Sequence, residues 1–130
     1  MKKIILTIAI LAGAVVALPT NSVYAQGTEQ AANTIKRVTK AEFKKYLESH
    51  ENVQLIDVRT PGEFGGGTIK GAKNIDFYDP NFKAEIAKLD KDVPTLIFCK
   101  SGGRSAKALQ QFKAEGFQYV LELEGGYSNW

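Results

Sequence analysis

Three short stretches of the chain are apolar at almost every position and end in polar or glycine-rich loops: residues 53–58 (VQLIDV), 95–98 (TLIF) and 119–123 (YVLEL). Runs of this length predict strands buried on both faces. A weaker stretch at 69–75 (IKGAKNI) predicts one more short strand. Between these runs the period changes. Phe43, Tyr46 and Leu47 recur at helical spacing behind Thr39 and Glu42, a capping-box pair, and predict a helix over 40–49. Phe82, Ile86 and Leu89 mark a second helix, with Asp79 as its cap and Pro80 at its first position. Ala106, Leu109 and Phe112 mark a third over 105–115, which Gly116 is placed to end. The segment RTPGEFGGG holds a proline and four glycines and predicts a turn, with one helical turn at 61–64. Strands alternating with helices make this an α/β chain, with a parallel sheet covered on both faces. Ligands of such sheets bind at the carboxyl ends of the strands.

The start of the chain follows another logic. Lys2 and Lys3 precede a predominantly apolar run of fifteen residues, 4–18, and Pro19 and Asn21 break it before Val23-Tyr24-Ala25. This is the three-part pattern of a secretory signal peptide over 1–25, cut before Gln26. A spanning helix needs about 20 apolar residues, so no membrane anchor is expected after cleavage. The absence of a cysteine at the end of the run excludes a lipid-anchored one. Residues 26–34 read as a polar, flexible leader, and 35–130 as one folded domain.

Export changes the meaning of the composition. Without Lys2 and Lys3 the chain has 15 basic and 14 acidic residues, so nothing points to nucleic acid as a partner. Exported proteins pair their cysteines, yet this chain has one, Cys99. A lone thiol in such a protein is an intermolecular bridge or a reactive group. The bland alternative is a small buried hydrophobe.

Cys99 opens the hexapeptide CKSGGR, between a predicted strand and a predicted helix. A loop in this position turns several N–H groups inward, and the helix start adds about half a positive charge. Thiols in such surroundings have pKa values lowered to about 3.5–7.5 from about 8.5. Gly102 and Gly103 let the backbone curl. Arg104 offers a forked cation to an oxyanion, and Lys100 a second charge. A core thiol needs none of these, so the constellation points to attack by Cys99 on an anionic substrate. His50, the only histidine, lies at a helix end without metal-ligand partners, so no metal site and no cofactor are expected.

CKSGGRS resembles the active-site loop of the rhodanese family of sulfurtransferases. LIDVRTPGEF at 55–64 resembles that family's aspartate-valine-arginine block, and LEGGYSNW at 123–130 its closing glycine pair and tryptophan. The resemblance implies a central parallel sheet of about five strands flanked by helices on both faces. It implies that Cys99 takes a sulfane sulfur from a small anionic donor such as thiosulfate, becomes a persulfide, and passes the sulfur to cyanide, a thiol or a protein acceptor. The loop Lys100, Ser101, Gly102, Gly103 and Arg104 would cradle the outer sulfur and the donor's oxygens. Asp57 and Arg59 would support the loop from behind, with Glu63 as a partner for Arg59. Trp130 would plug the core. One departure is Thr68-Ile69, where the family often has histidine and isoleucine. A confined periplasm, where reducing partners reach the thiol, suits such a protein better than the extracellular medium.

Two other classes remain open. A phosphatase or arsenate reductase of related fold uses a cysteine loop one residue longer than the four residues between Cys99 and Arg104, and many phosphatases have histidine where Phe98 stands. A noncatalytic docking module would not need Cys99. A carrier that moves sulfur between proteins is compatible with every motif above.

Overall fold

A computed structural model describes residues 33–130. The expected signal peptide and most of the expected leader lie outside the described residues. Five strands, β1 (Thr34–Val38), β2 (Gln54–Asp57), β3 (Lys73–Asn74), β4 (Thr95–Phe98) and β5 (Tyr119–Leu123), form one sheet in the order β1-β5-β4-β2-β3. Every pairing is parallel. The helices are α1 (Lys40–Ser49), α2 (Pro61–Gly65), α3 (Phe82–Ala87) and α4 (Gly103–Ala114), with a 3-10 turn at Tyr127–Asn129.

The alternation of side chains along buried strands splits the core in two. Ile56, Ile97 and Val120 face one side with Phe82 and Ile86 of α3 and Ala108, Leu109 and Phe112 of α4. Leu55, Leu96, Phe98, Leu121 and Leu123 face the other, against Phe43 of α1. The parity carries Cys99, two positions after Ile97, onto the α4 side. Glu122, two after Val120, has the same parity.

Several elements differ from expectation for local reasons. β1 begins at Thr34, whose N–H donates to the Gln118 carbonyl at 2.8 Å, so this residue belongs to the sheet and not to a leader. The stretch expected as a strand over 69–75 is mostly turn: Ala72 N–H donates back to Ile69 and Gly71 takes φ +89°, which leaves only Lys73–Asn74 to pair with β2. α3 starts at Phe82, because the Asp79 carboxylate accepts from Asn81 N–H at 2.8 Å and closes a turn ahead of it. α1 is capped as expected by Thr39, which accepts from Glu42 N–H. α2 is a fuller helix than its glycines indicate, since Thr60 and Glu63 form a reciprocal capping box.

Phe112 joins α4 to the rest of its core, meeting Phe82 and Phe117 edge-on at 6.3 and 4.8 Å. It is fully buried. Phe112→Ala is expected to lower the free energy of unfolding by about 3–5 kcal/mol, read from urea denaturation. A loss under about 1 kcal/mol would mean that α4 is not anchored by this contact.

Candidate active site

Cys99 directly follows β4, next to the ends of β2 and β5 in the sheet order. Its side chain is buried at 1% exposure, while Lys100, Ser101 and Gly103 are exposed. The loop therefore presents its outer residues to solvent around a sheltered sulfur.

The loop's shape is imposed from outside it. After β5 the chain turns through Gly125 and Gly126, and Tyr127 N–H donates to the Cys99 carbonyl at 2.8 Å while Ser128 N–H donates to the Lys100 carbonyl at 2.9 Å. In a planar trans peptide the N–H points opposite to the carbonyl. Drawing these two carbonyls outward thus turns the N–H groups of Lys100 and Ser101 the other way, into the loop. Gly126 makes the approach possible: at φ +62°, a Cβ there would lie 2.5 Å from the Lys100 carbonyl carbon and 2.6 Å from the Cys99 carbonyl oxygen. Gly102, at φ +110°, begins α4 and donates its N–H to Cys99 Sγ at 3.1 Å. The Ser105 hydroxyl lies 3.3 Å from the same sulfur. Burial pushes the thiol up, but hydrogen bonds from the Ser105 hydroxyl and from the backbone of Ser105, Gly102 and Ser101 outweigh it and hold Cys99 below its ordinary value.

Arg104 sits differently from expectation. Its Nη1 and Nη2 donate to the two oxygens of Glu63 at 2.7 and 2.9 Å, so the fork meant for a donor's oxygens grips a carboxylate of α2. Hydrogen bonding to Arg104 lowers Glu63 to about 2, and the same bonds hold Arg104 above its usual range. The guanidinium also lies 5.6 Å from the Tyr78 ring, an aromatic 66% exposed. Glu63 is thus the partner of Arg104 and not of Arg59. Lys100 forms no ion pair among the described residues.

Asp57 and Arg59 are joined through three Arg59 donors, N, Nε and Nη2. Thr68, at the position of the family's histidine, donates its hydroxyl to Asp57 at 2.8 Å. Arg59 Nη2 also donates to the Gly67 carbonyl, and its guanidinium lies 4.4 Å from the Tyr127 ring centre. Support for the loop runs through Tyr127, whose N–H holds Cys99. Trp130 is partly exposed and packs edge-on against Phe43. His50 is exposed and stacks on Tyr46.

The rhodanese-like domain family matches residues 39–130 of this sequence. The chain belongs to that family. It is 34% identical over 96 residues to YqhL of Bacillus subtilis, spanning 74% of this chain and 72% of that protein. It is 30% identical over 99 residues to the thiosulfate sulfurtransferase GlpE of Pseudomonas aeruginosa, spanning 76% and 86%. The crystal structure of a rhodanese-like domain protein from Staphylococcus aureus superposes with a TM-score of 0.65 at 33% identity, covering 73% of this chain and 90% of that one. With such relatives, this rhodanese-like chain stands among sulfurtransferases, which need a sulfur donor and a sulfur acceptor.

Two residues of this rhodanese-like site escaped the sequence reading. Ser105 follows the hexapeptide and reads as an ordinary helix residue. Glu122 lies in an apolar strand 85 positions from its partner Arg37, and only its being a lone acid in the run YVLEL could have marked it.

Gly126→Ala is expected to cost about 1–3 kcal/mol in strain and to speed amide exchange at Tyr127 and Ser128; unchanged exchange would show that the loop does not depend on this approach. A second expectation concerns acid. Glu63 is depressed from 4.5 to about 2, so its pairing contributes stability above pH 4.5 and loses it as pH falls through 2. The stability difference between the wild type and Glu63→Gln should be constant above pH 4.5 and close towards pH 2; a gap that persists at pH 2 would deny the pair this role.

Proposed function

We propose that this chain is an exported sulfurtransferase that moves a sulfane sulfur from a small anionic donor such as thiosulfate to a thiophilic acceptor through a persulfide on Cys99. The observation that carries the reading is the Cys99 sulfur at the mouth of α4, within 3.1 Å of Gly102 N and 3.3 Å of the Ser105 hydroxyl. These donors stabilise negative charge on sulfur, which is what a nucleophilic thiolate and a persulfide anion both carry.

The thiolate attacks the outer sulfur of thiosulfate. A sulfur–sulfur bond to Cys99 forms, the bond to the sulfonate sulfur breaks, and its electron pair leaves with sulfite. In the second half, cyanide or a thiolate attacks the outer sulfur of the persulfide, and the electron pair returns to Cys99 as thiolate. The negative charge shifts by one atom between the two halves, and the inward N–H groups serve both positions. A covalent intermediate of this kind gives ping-pong kinetics. Four residues between Cys99 and Arg104 make a ring suited to a single sulfur, and Lys100 supplies the exposed cation beside it.

Export is read from the signal-peptide pattern of 1–25, with a periplasm as the compartment. Intact-mass spectrometry of the secreted protein tests both readings. The expected mass starts at Gln26, rises by one sulfur atom after thiosulfate, and returns to the starting value on adding cyanide; Cys99→Ser gains nothing. A wild-type mass that thiosulfate leaves unchanged would overturn the sulfur chemistry, and a secreted mass that includes residues 1–25 would overturn the cleavage.

A further inference from the structure

Behind Cys99 lies a set of polar groups of which the transfer steps use only the Ser105 hydroxyl. Ser105 and Glu122 are fully buried. The Ser105 hydroxyl lies 3.3 Å from Cys99 Sγ and 2.5 Å from Glu122 Oε2. Arg37 of β1 meets the same carboxylate, with Nε on Oε1 at 2.6 Å and Nη2 on Oε2 at 3.0 Å. Arg37 Nη2 also donates to the Gly102 carbonyl at 2.8 Å, tying the set to the start of α4. Apolar residues at positions 37 and 122 together would fill the sheet without a buried charge, and replacing a whole buried ion pair in this way is often neutral or stabilising. The carboxylate therefore calls for a reason beyond packing.

The Ser105 hydroxyl has one hydrogen and two acceptors in reach. While Cys99 is a thiol, that hydrogen goes to the carboxylate, the charged and therefore stronger acceptor, and the Ser105 oxygen accepts the thiol S–H. Once sulfur is charged, as thiolate or persulfide, the hydrogen is worth more on sulfur. Glu122 then relies on Arg37, which already contacts both its oxygens.

We propose that Glu122, acting through the Ser105 hydroxyl, is a positioning residue that holds Cys99 towards its protonated form until the sulfur takes on charge, with Arg37 keeping the carboxylate paired in both states. This deepens the reading of Cys99 as the sulfur carrier and rests on it. No covalent bond between heavy atoms changes: the thiol proton leaves to solvent and the hydroxyl turns. Other charges that act on the sulfur are Arg37 from β1 and Arg104 from α4, the latter paired with Glu63 of α2, while Lys100 of the loop is exposed. The benefit is a resting thiol less open to oxidation, since oxidation follows thiolate character.

Cys99 is the only cysteine, so the ultraviolet absorbance of thiolate, taken as the difference from Cys99→Ser, titrates one group. Glu122→Gln should move the midpoint down by about one pH unit, a tenfold change in the thiolate-to-thiol ratio, and Ser105→Ala should move it up. In the double variant the effect of Glu122→Gln should fall to less than half. Glu122→Met, which leaves no buried carboxyl, should reproduce the downward shift should the glutamine variant fail to fold. Single-variant shifts of the same sign, no shift for either replacement of Glu122, or an undiminished shift in the double variant would overturn the proposal. The titration needs no turnover, so a protein that forms no persulfide but shows opposed shifts would fail the functional reading alone, and the converse would fail this one alone.

Discussion

The structure turns on one constraint: the Cys99 sulfur is buried, so negative charge on it is stabilised from within the fold. Burial by itself pushes the Cys99 thiol up, and hydrogen bonds aimed at the sulfur outweigh it and hold the thiol below its ordinary value. The donors come from consecutive loop residues and from the first turn of α4, so they exist only while the loop keeps its curl. Chain entropy opposes that curl. It is held by Tyr127 and Ser128 taking the outward carbonyls, by Gly126 allowing the two segments to touch, and by Gly102 taking a positive φ where α4 begins.

Three acid–base pairs surround this arrangement, and each joins the site to a different part of the fold. Glu63 and Arg104 link α2 to α4. Asp57 and Arg59 lock the end of β2 and reach the loop through Tyr127. Arg37 and Glu122 join β1 to β5 and touch Gly102. Arg104 spends its two Nη groups on Glu63, which makes it a brace of the loop wall. The exposed charge beside the sulfur is left to Lys100. Such an arrangement places rigidity in paired charges and leaves one unpaired cation of the loop facing solvent.

Much of the fold was legible because most strands are central. β2, β4 and β5 are flanked by strands on both sides and covered by helices on both faces, so their apolar runs have only one reading. β1 is an edge strand whose residues Lys36 and Arg37 are exposed, and TIKRV carries too weak a pattern to be recognised. β3 shrank to two residues because backbone turning at Gly71, not hydrophobicity, decides where pairing begins. At the site, Cys99 and the loop glycines were legible from their order between strand and helix. The partner of Arg104 was not, since Glu63 is 41 positions away.

The sequence alone determined the α/β class, the place of the lone thiol after a central strand, and the family, through three motifs in order. Each of these depends on neighbours along the chain or on burial averaged over a segment. The tertiary structure alone decided which charges meet: that Arg104 faces Glu63, that Thr68 stands on Asp57, and that Glu122 reaches Cys99 through Ser105. Those contacts are set by strand order and by the parity of side chains across the sheet. Interactions that last only a few ångströms leave no periodic trace in a chain whose partners are 11 to 85 residues apart.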